Sequence, residues 1–307
     1  MKFLSAEGRD LANGPWGGRI AGAERNRNEL GSLLGEERDA VAMIIEGSGF
    51  PCLVPVPALP SLQQRELSPT LGAQLRLAYL RPGQEHSSGD WLESVLTDLD
   101  RGRAALNADR VGLIGTSALG LIAAEYALRH AERAAFLVLV GSPPRIRDLG
   151  AAQEEEFART ADVARRQRLR ENLRHLESSL AAAEEQAQQA LLESQAYAPM
   201  AWFDANFNPT DLLSGLDLDH QSFRKGMGPA LEGIDLSERL AHLRCPLLRI
   251  QGRFDFIAPE AMWKGVEEGS HGAEHVEFEH SGHHPPLEES QRFEAVVKSW
   301  LGRIGIC

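Results

Sequence analysis

Cysteine is scarce. The 307 residues contain three, Cys52, Cys245 and Cys307, too few and too scattered for a disulfide framework or a zinc site. A reducing compartment, the cytoplasm, is the expected setting. Long apolar runs are missing too, since nowhere do about 18 apolar residues follow one another. The opening MKFLSAEGRD meets charge and a glycine before any apolar run is built, so no secretory signal is expected. Basic charge is in deficit, 32 Lys and Arg against 44 Asp and Glu for a net −12. Such a chain offers phosphate backbones nothing to hold and is repelled by anionic membrane surfaces, so neither nucleic acid nor membrane is expected as a partner. Internal repeats and low-complexity linkers are absent.

What remains is a globular composition, 43% apolar, in a chain long enough for one large or two modest domains. Residues 1–40, rich in Gly, Arg, Asn and Glu, read as an irregular lead-in. From Val41 the pattern changes. VAMII and CLV flank the turn Glu46-Gly47-Ser48-Gly49, and the second run ends in Pro55-Val56-Pro57-Ala58-Leu59-Pro60. LRLAYL (75–80), VGLIG (111–115) and FLVLVG (136–141) are further apolar runs, while residues 91–106 and 118–130 carry apolar side chains at helical spacing. Fully apolar strands alternating with helices predict an α/β protein with a mostly parallel, doubly wound sheet covered on both faces. After Pro143-Pro144 the strand signals stop. Residues 154–194 are charged and alanine-rich, with Leu169, Leu173, Leu176 and Leu180 on one helical face, which predicts a helical insertion. Alternation returns at Pro246 with LLRIQG (247–252), a helix around 259–266, a strand HVEFEH (275–280) and a closing helix over 287–301.

The chemistry is carried by VGLIGTSALGLIAAEYALRH. Gly115-Thr116-Ser117-Ala118 stands where a buried strand turns sharply into a helix, the setting that exposes a serine hydroxyl above a helix N-terminus. Ser117 is the candidate nucleophile. A serine needs a base, and the base an orienting carboxylate. In LLRIQGRFDFIAP, Asp255 follows a strand that runs out at Gly252; in HVEFEHSGHHPPLEE, His283 follows Gly282, whose freedom suits a tight turn. Catalytic groups of open parallel sheets gather at the carboxyl ends of strands, and the chain order Ser, Asp, His is that of α/β-hydrolases. Five histidines crowd this region, His271, His275, His280, His283 and His284. Their spacings do not repeat the i, i+4 pair of a helical zinc site, so surface histidine is preferred over a metal and no cofactor is expected.

These residues resemble a known family. GTSALGLIAAEYALRHAERAAFLVLVGSPP is similar to the nucleophile-elbow region of α/β-hydrolases, and IDLSERLAHLRCPLLRIQGRFDFIAPEAMW with FEHSGHHPPLEESQRFEAVVKSWL resembles the C-terminal half of the proline iminopeptidase-like branch. The resemblance covers residues 41–144 and 230–301. It implies a catalytic triad of Ser117, Asp255 and His283, and a core of residues 1–144 and 236–307 with a helical cap, residues 145–235, inserted between strands. It also implies an oxyanion hole from the backbone N–H groups of Ala58 and Ala118, in a segment where Val56-Pro57-Ala58-Leu59-Pro60 replaces the family's His-Gly-Gly-Pro-Gly. Leu119 and Gly120 stand where the second glycine of G-x-S-x-G would fall, so Leu119 is expected either to push the helix from the sheet or to line the site. Iminopeptidases bind the substrate's free amine with cap carboxylates. Trp202, Phe203 and Asp204 are the candidates for such binding here, with cap packing and a helix cap as the alternative.

The leading expectation is a serine hydrolase cleaving an ester or amide of a small, partly apolar substrate, in a monomer or homo-oligomer. A lyase, acyltransferase or cyclase using the same triad, and a non-catalytic binding relative, remain as alternatives.

Overall fold

A computed structural model describes residues 42–81, 91–183, 185–218, 221–266 and 273–306. The lead-in over residues 1–40, Val41, His271 and Cys307 lie outside the described residues. Among the described residues seven strands form one sheet: β1 (Ala42–Gly47), β2 (Phe50–Pro55), β3 (Leu75–Arg81), β4 (Val111–Thr116), β5 (Ala134–Val140), β6 (Leu247–Gly252) and β7 (Glu274–Phe278). Their order is β1-β3-β2-β4-β5-β6-β7, and all neighbours run parallel except β1, which is antiparallel to β3. The turn at residues 46–49 therefore does not close a hairpin; β3 slides between the two strands it joins.

Period-2 alternation explains how the sheet holds two layers. In β5, Leu137 and Leu139 face a core shared with α2 (Trp91–Ala105) and α3 (Leu119–Arg129), while Phe136, Val138 and Val140 face a second core. That second core is completed by α1 (Leu62–Leu71) and α11 (Ser290–Arg303), through Leu67, Leu71, Phe293, Val297 and Trp300. Trp300 meets Phe136 edge-on at 5.7 Å. Each fully buried Leu or Phe here contributes about 1.5–3 kcal/mol relative to exposure.

Between β5 and β6 the chain inserts α4 (Leu149–Thr160), α5 (Val163–Ala182), α6 (Gln186–Ala196), α7 (Ala198–Ala201), α8 (Thr210–Leu213) and α9 (Gln221–Glu232). An isolated antiparallel bridge between Arg145 and Asp235, continued by Leu236 N–H donating to Pro144 O at 3.0 Å, closes its neck. On α5 Leu169 is buried beside Phe157, Met200 and Phe256, Leu173 is partly buried against that cluster, and Leu176 and Leu180 are half-buried. Among the described residues no helix is long and apolar enough to cross a membrane.

Three elements depart from expectation. The helix expected around 259–266 is a single 3-10 turn, Glu260–Trp263. The expected closing helix is broken into α10 (Pro285–Glu288) and α11, because Glu289 at the break leaves helical geometry and its carboxylate instead accepts from His280 N–H and Ser281 Oγ. Helix α1 was signalled only by Ser61-x-x-Gln64, where Gln64 Oε1 accepts the Ser61 N–H at 3.0 Å; its internal Pro69 hides it from a propensity reading.

Candidate active site

Strand β4 delivers Ser117 into a strained backbone conformation that suits a sharp strand-to-helix elbow. Its φ is +52°, in the left-handed region, which costs a non-glycine residue about 1–2 kcal/mol. The strain is held by Ser117 N–H donating to Val140 O on the neighbouring strand at 2.9 Å and by Gly120 N–H closing on Ser117 O at 3.0 Å. Helix α3 then sits very close to the sheet. A Cβ on Gly120 would collide with Ser142 Oγ and lie 2.6 Å from Ser142 Cβ, and one on Gly115 would collide with the Gly120 backbone. Gly120 thus supplies the close approach expected of position 119. Leu119 does not displace the helix; it is buried in the core shared with α2.

Asp255 and His283 stand together at the ends of β6 and β7. His283 Nδ1 is 2.9 Å from Asp255 Oδ2, and the two residues are 8% and 4% exposed. Asp255 is saturated with donors: Oδ1 accepts the N–H groups of Ile257 (2.9 Å) and Ala258 (2.8 Å), and Oδ2 also accepts Gln251 Nε2 at 2.9 Å. Burial of the His283 ring disfavours its charged form, but the charge and hydrogen bond of Asp255, joined by Glu66 and Glu288, outweigh this and raise its pKa above the ordinary 6.5. Gly282 matters through contact rather than positive φ, since a Cβ there would strike Ala201 O and stand 2.8 Å from Trp202 Cα. His283 N–H donates to Ala201 O at 2.6 Å.

The strand ends bring Ser117 to this pair. Val140 O receives the Ser117 amide, and the next residue, Gly141, lies where a Cβ would be 3.1 Å from both Asp255 Oδ2 and His283 Nδ1. Among the described residues the Ser117 hydroxyl makes no hydrogen bond to His283, a looseness common before substrate binds. On the opposite side, Val56 N–H is committed to Leu80 O at 2.9 Å and Pro57 has no N–H. Ala58, fully buried, therefore carries the first amide beyond β2 that the sheet does not use. Ala118 stands at the N-terminus of α3.

Residues 201–207 of the insertion pack beside the loop that carries His283 and His284. Trp202 is buried, stacked on His284 at 4.4 Å and against Phe207 at 4.1 Å. Phe203 is 40% exposed and meets Phe254 and His280 edge-on. Asp204 is exposed, with Oδ1 accepting the Asn206 N–H at 2.9 Å in a local turn. The remaining described histidines disperse: His275 approaches Glu260 at 3.8 Å, His280 ends beyond β7, and His284 Nδ1 pairs with Glu66 Oε1 at 2.7 Å. Among the described residues no three His, Cys, Asp or Glu side chains converge to hold a metal.

Sequence reasoning missed Gln251, Glu66 and Glu288. Gln251 had a signal, as a polar side chain that shares a fully buried strand with Arg249. It donates to Ala258 O at 2.8 Å as well as to Asp255. Glu66 meets His284 across 218 positions, with nothing local to announce it. Glu288 accepts the N–H groups of Phe203 (2.7 Å), Gly282 (2.8 Å) and His284 (3.3 Å), knitting the insertion to the His283 loop; burial raises its pKa against those donors.

A model of the alpha/beta hydrolase fold family matches residues 81–290, more than half of the chain, and the chain belongs to that family. It is similar to the AB hydrolase superfamily protein YclE of Bacillus subtilis, 26% identical over 279 residues, 85% of this chain and 95% of that protein. It is also similar to the pimeloyl-(acyl-carrier protein) methyl ester esterase of Vibrio cholerae, 27% identical over 185 residues, 59% of this chain and 66% of the relative. The solved proline iminopeptidase of Mycobacterium smegmatis shares the fold, with a TM-score of 0.61 at 16% identity over 86% of this chain and 94% of that one.

Proposed function

We propose that the protein is a serine hydrolase that cleaves an ester of a small, partly apolar acyl group through an acyl-enzyme. The observation that carries this reading is the buried Asp255–His283 pair set at strand ends beside a serine held at positive φ. Ser117 Oγ attacks the carbonyl carbon while His283 Nε2 takes its proton. Asp255 holds the imidazole with Nδ1–H toward itself and stabilises the imidazolium that forms. The Ala58 and Ala118 amides receive the developing oxyanion, each donor of this kind being worth about 2.7–4 kcal/mol in the transition state. Imidazolium then protonates the leaving alcohol, and water repeats the sequence on the acyl-enzyme to release the acid and restore Ser117.

Helices α4–α9 act as the cap, with Trp202 as the apolar wall. An ester is favoured over a free-amine peptide because Asp204, the carboxylate offered for amine binding, is exposed and already used in its own turn; the esterase activity of the Vibrio cholerae relative points the same way. Leu119 works in packing rather than recognition. The test is turnover of a panel of acyl methyl and p-nitrophenyl esters beside proline-terminated amides, with Ser117→Ala in parallel. Ester turnover that disappears in Ser117→Ala supports the reading; amide-only turnover, or turnover that survives the substitution, overturns it.

A further inference from the structure

Arg165 sits where elementary electrostatics would not put a cation. It lies in the first turn of α5, next to the positive end of the helix dipole, and its side chain is 5% exposed. Burial drives its pKa down, with Asp162, Asp204 and Glu288 as the acids acting against that. Yet among the described residues no carboxylate forms an ion pair with it. Its donors go to carbonyls instead: Nη1 to Pro199 O (2.8 Å) and Trp202 O (2.7 Å), and Nη2 to Phe203 O. Pro199 O and Trp202 O belong to the last turn and C-cap of α7, where a cation can satisfy the free carbonyls, and Phe203 O follows directly. A buried guanidinium so placed, with its Nε unpartnered, is poor value for stability alone.

Its surroundings explain the placement. The same guanidinium lies over Phe254 at 5.2 Å and Phe256 at 5.8 Å, the two neighbours of Asp255 in sequence. The turn it grips carries Ala201 O, the acceptor for His283 N–H, and Met200 O, the acceptor for Phe256 N–H at 3.0 Å. One side chain from the insertion therefore touches the segment that holds His283 and the segment that holds Asp255.

We propose that Arg165 is a positioning residue for the hydrolysis, fixing the 199–203 turn and the 254–256 loop in one register so that the His283 imidazole meets Asp255 squarely. This rests on the triad of Ser117, Asp255 and His283 proposed for that reaction. Arg165→Met keeps the length of the stem and removes the donors and charge. Because displacement of catalytic groups by about 1 Å can slow a reaction roughly 100-fold, the variant should react with a fluorophosphonate at Ser117 about 10–100-fold more slowly. Its kcat for a small p-nitrophenyl ester should fall with KM little changed. The far-downfield proton resonance of the His283–Asp255 hydrogen bond should weaken or disappear at a temperature well below the unfolding of the variant, where general loss of stability does not expose it. Arg165→Lys, with charge and fewer donors, should recover part of the rate, and it carries the test if Arg165→Met does not fold. Arg166, whose guanidinium among the described residues donates to Ala158 O alone, serves as control, and Arg166→Met should react like the wild type. Wild-type rates and an unchanged proton resonance in the folded Arg165 variants overturn the inference while leaving the triad standing. Absence of labelling at Ser117 in the wild type itself removes both.

Discussion

Replacing Asp255 by asparagine exchanges one oxygen for an NH2 group in a site already crowded with donors. Oδ1 faces two backbone donors, Ile257 N–H and Ala258 N–H, while Oδ2 faces Gln251 Nε2 and His283 Nδ1. An amide keeps its oxygen toward the two backbone donors and must then turn its NH2 toward two further donors. Gln251 cannot simply reverse, because its Nε2 is also held by Ala258 O. The conflict is relieved by His283 moving its proton from Nδ1 to Nε2, which leaves no lone pair to accept the Ser117 proton. A change of tautomer in this setting is worth a rate loss of about 10⁴ in a known serine protease, or about 5 kcal/mol of transition-state stabilisation. The acid limb of kcat/KM should move as well. In the wild type the charge and hydrogen bond of Asp255 outweigh burial and raise the His283 pKa above the ordinary 6.5, so activity should rise only above that value. In Asp255→Asn burial acts with less opposition and the limb shifts to lower pH. Stability runs the opposite way: the contribution of protonated His283 is complete below about pH 6.5 and fades as pH rises through its raised folded value. Steady-state ester hydrolysis from pH 5 to 9, with thermal unfolding at each pH, reads both effects. A loss smaller than about tenfold, or a limb that stays where it was, would refute the assignment of Asp255 as the orienting group.

Other changes separate chemistry from scaffold. His284→Ala leaves the buried Glu66 carboxylate without its partner and should destabilise the fold by about 3–5 kcal/mol, whereas His280→Ala should leave both unfolding and turnover close to the wild type. Gly120→Ala drives a methyl group into Ser142; overpacking of this kind costs about 1–3 kcal/mol, and the shift of α3 should lower kcat through the elbow, as paired calorimetry and kinetics would show. Asp204→Asn should not change KM for esters or for free-amine substrates, since that carboxylate serves a local turn; a selective rise for amines would restore the iminopeptidase analogy.

That Ser117, Asp255 and His283 stand just beyond strands was legible because each follows a strand signal, fully apolar in VGLIG and mixed in LLRIQG and HVEFEH, and in a parallel sheet the ends of such strands share one edge. The two-faced core was legible for the same reason, from strands such as FLVLVG that have no polar face to spare. The ends of helices were not. Glu289 interrupts the closing helix because its carboxylate is wanted by the His280–Ser281 backbone and hydroxyl, a tertiary demand that no local propensity records. Arg165 was hidden most completely. In Ala-Arg-Arg-Gln-Arg-Leu-Arg it reads as one more solvated cation, and only the return of the chain at residues 199–203 and 254–256 distinguishes it from Arg166. Glu66 likewise acquires its partner only when α1 packs beside the His284 loop.

The proposed mechanism stands or falls with the hydroxyl of Ser117, activated by His283, as the nucleophile. Incubation of the intact protein with a fluorophosphonate, followed by proteolysis and mass spectrometry, tests this directly. The expected result is a single stoichiometric adduct on the peptide containing Gly115-Thr116-Ser117-Ala118, formed quickly in the wild type and not at all in Ser117→Ala or at a measurable rate in His283→Ala. An adduct on any other residue, or equal labelling of the wild type and His283→Ala, would contradict it.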